Sequence, residues 1–127
     1  MTDVILDSSA VLAHLRNEPG GEMVQSAFAA SAVSAVNFAE IITKLIEWNA
    51  RPEEAENLVG FLGYAVLPAD RLRALAAGLL HARTRGTGVS LGDRFCLALA
   101  RELGLPVLTA DRRWKGLDIG VEINLIR

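Results

Sequence analysis

Short apolar runs alternate with longer stretches of helical periodicity along this 127-residue chain. Val4-Ile5-Leu6, Ala32-Val33-Ser34-Ala35-Val36 and the segments 64–67, 106–109 and 121–126 have the length and residue types of strands. Between them, apolar residues recur every three or four positions. Ser8 or Ser9 can cap a helix running to residue 16, which Asn17-Glu18-Pro19-Gly20 stops. A shorter helix is expected over 21–30. Asn37 is expected to cap a helix over 37–49 with Phe38, Ile41, Ile42, Leu45 and Ile46 on its apolar face. Pro52, followed by Glu53, Glu54 and Glu56, opens a helix over 52–63. Asp70 caps a helix over 70–83, and Ser90 caps one that Gly104 closes. The segment 111–115 forms a turn or a short helix.

Strands alternating with helices predict an α/β protein with a short, mostly parallel sheet covered on both faces. No repeat, low-complexity tract or linker divides the chain, so residues 1–127 are expected to form one domain. In such a sheet, strand C-termini and the helix starts that follow them share one edge. Four acids fall there: Asp7 after the first strand, Glu40 near the start of the third helix, Asp93 near Ser90, and Asp111 after the strand at 106–109. From Asp93 to Asp111, a helix of ~11 residues runs about 16 Å out. A strand of ~5 residues runs about 17 Å back. Carboxylates gathered at one edge repel one another unless a cation lies between them, so a divalent metal site is the sharpest expectation.

Each acid also has a plain structural explanation. Asn37-x-x-Glu40 and Ser90-x-x-Asp93 have the form of capping boxes, and acids in a first helical turn are favoured by the macrodipole. Asp7 and Asp111 can serve as turn or N-cap residues. What favours a site is that all four map to one edge. Ser8 and Thr109 lie close enough in sequence to orient a carboxylate oxygen or a metal-bound water. His14 and His81 lie within helices, with no spacing that suggests zinc. Trp48 and Trp114 are expected to be packing residues. No phosphate loop or serine triad is present.

Composition narrows the classes further. The chain is 51% apolar and 22% charged, which excludes disorder. No apolar run reaches the ~20 residues of a membrane span, and the N-terminus lacks the pattern of a signal peptide. The single cysteine, Cys96, fits a reducing compartment, and the expected location is cytoplasmic. Cys96 sits among Phe95, Leu97 and Leu99 and is expected to be a buried apolar residue. A net charge of −2 argues against nonspecific coating of nucleic acid but not against a local basic rim. Arg94, Arg112, Arg113 and Lys115 lie beside two of the acids and either form such a rim or are ordinary solvated surface charge.

Four motifs together resemble the PIN-domain family, and most closely its VapC-type toxins. They are Val4-Ile5-Leu6-Asp7-Ser8-Ser9-Ala10-Val11-Leu12, Val33-Ser34-Ala35-Val36-Asn37-Phe38-Ala39-Glu40, Ser90-Leu91-Gly92-Asp93-Arg94-Phe95-Cys96-Leu97-Ala98-Leu99-Ala100 and Leu108-Thr109-Ala110-Asp111-Arg112-Arg113-Trp114. Order, spacing and length all match across essentially the whole chain. Gly92, just before Asp93, is taken as ordinary variation. The resemblance implies a three-layer α/β/α fold and an endoribonuclease dependent on Mg2+ or Mn2+. It also implies a homodimer and an antitoxin partner. Within that family, Asp7, Asp93 and Asp111 would hold the metal, directly or through water, and Glu40 would complete the site or orient the attacking water. Apolar stretches such as Val11-Leu12-Ala13 with Leu15, and Leu58-Val59 with Phe61-Leu62, are consistent with protein contacts or with simple coverage of the sheet.

Two other classes share some of these features. A phosphoryl-transfer domain of the receiver or dehalogenase type also places acids at parallel strand ends. A dehalogenase-like enzyme wants a second Asp two residues after its nucleophile, where this chain has Ser9; a receiver wants an acidic pair and a later lysine, and neither is present. A non-catalytic module would keep the fold and use the edge only to bind RNA or protein.

Overall fold

The computed structural model describes residues 1–127. In chain order the elements are β1 (Val4–Leu6), α1 (Ser8–Leu15), α2 (Gly21–Gln25), β2 (Ser31–Ser34), α3 (Ala35–Glu47), α4 (Pro52–Gly60), β3 (Ala65–Leu67), α5 (Arg71–Leu79), α6 (His81–Thr84), α7 (Leu91–Leu103), β4 (Val107–Thr109) and β5 (Ile123–Leu125). Single 3-10 turns occupy Phe28–Ala30 and Arg112–Trp114. The five strands form one sheet in the order β3-β2-β1-β4-β5. Every neighbouring pair is parallel.

Because both faces of the sheet are covered, its central strands are buried at nearly every position rather than alternately. Successive residues instead serve two different cores. Leu6, Val33 and Leu108 point to a cluster completed by Val11, Val24, Ile41, Leu45 and Val59 from the first four helices. Ile5, Ala32 and Val107 point to a second cluster with Ala77, Leu97, Leu99, Trp114 and Ile119. The result is a three-layer α/β/α architecture, with α1–α4 on one face and α5 and α7 on the other. Cys96 is fully buried, as its apolar neighbours suggested, and Trp114 is fully buried as a packing residue. No helix is long and apolar enough to cross a membrane.

Several boundaries differ from expectation. Ala35 and Val36 read as strand, yet β2 stops at Ser34, whose hydroxyl accepts the Val36 N–H and caps α3. Asn37 is therefore inside the helix, and Glu40 lies a turn beyond the capping position. α1 takes Asp7, not Ser8 or Ser9, at its N-cap. The helix expected over 70–83 is divided at Leu80 into α5 and α6, while Asp70 does cap it through the Arg73 N–H. Of the apolar stretches considered for protein contacts, Val11, Ala13 and Val59 are buried under the sheet, whereas Leu58 and Phe61 remain exposed.

Candidate functional site

The strand order places a topological switch at β1. The chain leaves β1 toward β2 on one side, and β4 later fills the other side. The crevice beyond the carboxyl ends of such a strand pair is where open α/β sheets bind ligands. Asp7 follows β1, and Thr109 ends β4 directly across from it. The Asp7 N–H donates to the Leu108 carbonyl at 3.0 Å, and the Thr109 hydroxyl donates to Asp7 Oδ2 at 2.8 Å.

Asp7 is an N-cap residue that does not cap. An aspartate there ordinarily accepts a backbone N–H of the first turn, but Asp7 makes no such bond. Its Oδ2 instead accepts from Ser9 at 2.6 Å as well as from Thr109. Its Oδ1 is buried with no partner at all. Burial pushes the Asp7 carboxyl up to about 6; the two hydroxyl bonds oppose this shift, and the charges of Asp93 and Glu40 add to it. The same three acids, after burial itself, push the Cys96 thiol up beneath them. Asp7, Glu40 and Asp93 are thus electrostatic neighbours at one end of the sheet.

Glu40 reaches this edge from the second turn of α3. Its Oε1 accepts from Asn37 Nδ2 at 2.8 Å and from the Ser8 hydroxyl at 3.3 Å. Asp93 is held by the capping box its sequence suggested: its Oδ2 accepts the Ser90 N–H at 2.9 Å, and its own N–H donates to Ser90 Oγ at 3.2 Å. Asp111 is paired with Arg113. Arg113 Nε donates to its Oδ1 at 3.0 Å and Arg113 Nη2 to its Oδ2 at 2.7 Å. This bidentate pairing holds the Asp111 carboxyl below its ordinary value. No three potential ligands among His, Cys, Asp and Glu come to metal-holding spacing.

Among the basic candidates, Arg94 donates from Nη1 to the Ala77 and Gly78 carbonyls at 3.0 and 3.4 Å, which ties α7 to α5. Arg112 and Lys115 are exposed, and Arg113 is engaged with Asp111. Three residues at the site had no role assigned there from the sequence. Ser9 bridges Asp7 and the Ala110 N–H, which donates to its hydroxyl at 3.0 Å. Asn37 bridges Glu40 and the Gly92 carbonyl. Gly92 itself faces the Glu40 carboxylate. The signal for Gly92 was present, since glycine inside a helical pattern is unfavourable unless something requires it.

The profile of the PIN domain matches residues 4–120. The chain belongs to the PIN-domain family. No curated protein sequence matches it. Among solved structures, this PIN domain is similar to a chain of the DNA-bound VapBC complex from Salmonella typhimurium, with a TM-score of 0.77, 23% identity and 100% of both chains covered. It is also similar to VapBC-1 from nontypeable Haemophilus influenzae, at a TM-score of 0.74 and 16% identity over 98% of each chain. A third is a VapC toxin of Mycobacterium tuberculosis described as cleaving the sarcin-ricin loop. There the TM-score is 0.73 and the identity 15%, over 94% of this chain and 99% of the other. At these identities the likeness is one of fold.

Proposed function

We propose that this PIN domain is an endoribonuclease dependent on Mg2+ or Mn2+, acting as the toxin of a toxin–antitoxin pair. Asp7 carries the reading. It sits at the switch-point crevice with one oxygen oriented by two hydroxyls and the other buried and unpaired, beside two further acids. A dry carboxylate in that setting favours a cation over a proton only when the cation can reach it.

The donor set fits a hard ion. It is all oxygen, with no accessible imidazole or thiolate, as suits Mg2+ or Mn2+. Because no three carboxylates stand at direct ligating distance, Asp7 would bind most directly, and Asp93 and Asp111 largely through water. Mg2+ characteristically keeps several waters and uses few carboxylates. When bound, such an ion lowers the pKa of a coordinated water and offsets charge on a scissile phosphate. Ser9 and Thr109 fix the orientation of Asp7, and Glu40 would orient the attacking water. Arg112, Arg113 and Lys115 supply positive charge for RNA phosphates. Arg113 could exchange its partner, Asp111, for a phosphate oxygen.

The solved relatives that are toxin–antitoxin complexes support a small antitoxin protein as partner, and a homodimer is expected with it. The deciding experiment is incubation of the chain with structured and unstructured RNAs and with single-stranded DNA, in Mg2+ or Mn2+ and then in EDTA. RNA cleavage that EDTA abolishes, and that Asp7→Asn and Asp93→Asn both lack, is expected. Cleavage unchanged in EDTA would overturn the metal mechanism. Growth arrest on expression, dependent on Asp7 and relieved by the neighbouring small reading frame, is expected of a toxin; a harmless but active nuclease would remove that part of the reading.

A further inference from the structure

We propose that Asn37 and Gly92 are positioning residues that clamp the Glu40 carboxylate onto the start of α7, and that residue 92 must be glycine because Glu40 occupies the space of its side chain. Three observations carry this. A Cβ built on Gly92 would overlap Glu40 Oε2 and lie 2.6 Å from Cδ and 2.8 Å from Oε1. Asn37 Nδ2 donates both to Glu40 Oε1 at 2.8 Å and to the Gly92 carbonyl at 3.0 Å, joining α3 to α7 at this point. Asn37 is fully buried, yet its Oδ1 has no partner. Two acceptors on one amide nitrogen fix which way the amide points, and the cost is a buried acceptor left unpaired. Packing stability alone would favour an apolar residue there, so the arrangement is explained by what it holds.

Gly92 is not explained by backbone conformation. It lies in the first turn of α7, and its φ is not in the left-handed region, unlike that of Gly104 at the end of the same helix. Alanine is the better helix former at such a position. Gly92→Ala should therefore favour the helix while displacing Glu40, a combination that separates positioning from folding. Gly78 in α5 is the matched control, because a Cβ there meets nothing within 4 Å.

Only the effect on metal and RNA rests on the nuclease reading; the clamp is testable without it. In 15N-labelled protein, the Asn37 side-chain amide signals are expected to move in Gly92→Ala and in Glu40→Ala but not in Gly78→Ala. Both glycine variants are expected to melt at or above the wild-type temperature. Mn2+ binding, followed by EPR of the free ion, should weaken about tenfold in Gly92→Ala, and RNA cleavage should fall about 10²-fold, as for an ångström-scale misplacement. On a Glu40→Ala background, adding Gly92→Ala should change Mn2+ affinity less than twofold, because the residue it displaces is gone. An unmoved Asn37 signal in Gly92→Ala, or an equal loss of affinity in both backgrounds, would overturn the clamp. A signal that moves in a protein that binds no Mn2+ and cuts no RNA would sustain the clamp and overturn the nuclease reading instead.

Discussion

Asp7 and Asp111 stand past the ends of adjacent parallel strands, yet their surroundings are opposite. Asp7 is buried, oriented by neutral hydroxyls, and its carboxyl is pushed up to about 6. Asp111 is only partly covered and is gripped by Arg113 from its own turn, which draws its carboxyl down. Thr109 joins the two, donating its hydroxyl to Asp7 and accepting the Asp111 N–H at 3.0 Å. Topology brings acids to one edge, but their local partners decide which of them needs a cation from outside. Asp7 has no cationic partner within the fold, and Asp111 already has one.

The largest test of this contrast is Asp7→Asn. Cleavage should fall on the order of 10³-fold or more, because the loss of ion-based charge stabilisation amounts to several kcal/mol. Metal-free stability should move the other way. Asp7 titrates at about 6 in the fold against an ordinary 3.8, so between those values the folded state holds a proton that the unfolded state has released. Its ionisation destabilises the fold increasingly as pH rises through this window, by on the order of 3 kcal/mol once complete. Urea titrations in EDTA should find the variant more stable than wild type at pH 8, with the gap closing as pH falls from 6 to 4. A gap that does not depend on pH would break the account of Asp7.

Thr109→Val removes the shared hydroxyl while keeping shape. It should cost ~1–3 kcal/mol in denaturant unfolding, since a buried carboxylate oxygen loses one of its two donors and the Asp111 N–H loses its acceptor. It should also shift the acid limb of the pH–rate profile upward, because a bond that lowers the Asp7 pKa is gone. An unshifted limb would mean that Asp7 does not govern the rate.

Arg113→Gln should have the smallest effect. An exposed ion pair is worth ~0.2–1 kcal/mol, so freeing Asp111 should tighten Mn2+ binding by at most about fivefold. The folded-state shift of Asp111 is downward, so its contribution is present above its unfolded pKa and is lost as pH falls through the folded one. The variant should lose that acid-range dependence. Weaker Mn2+ binding in Arg113→Gln would show that the pairing organises the site rather than competing with it.

The sheet was legible because each strand is a compact apolar run and the helices between them are strongly periodic. Where the β2–α3 boundary was misplaced, Ala35 and Val36 suit either element locally, and the Ser34 cap decided between them. That two-residue error concealed Asn37, which looked like a cap and is a buried clamp. The meeting of Asp7, Glu40 and Asp93 could be foreseen from topology alone, as could the position of Asp111 just past β4. Their inequality could not, because it depends on a hydroxyl from Ser9, one from Thr109 and a guanidinium from Arg113, each compatible with several rotamers. Gly92 was legible in principle as an unexplained glycine in a helix, but the atom that demands it lies 52 positions away, on Glu40.

The bond from Thr109 to Asp7 spans 102 positions, and this has a consequence in time. During synthesis Asp7 appears almost first and Thr109 near the end. Until β4 inserts beside β1, the central strand lacks one neighbour, and Asp7 lacks one of the two hydroxyls that orient it. Contacts so far apart in sequence also form slowly after release. A nascent chain therefore carries Asp7, and later Glu40, for most of its manufacture without the strand that organises them, so the proposed ribonuclease would be unarmed while still attached to the machinery that makes it.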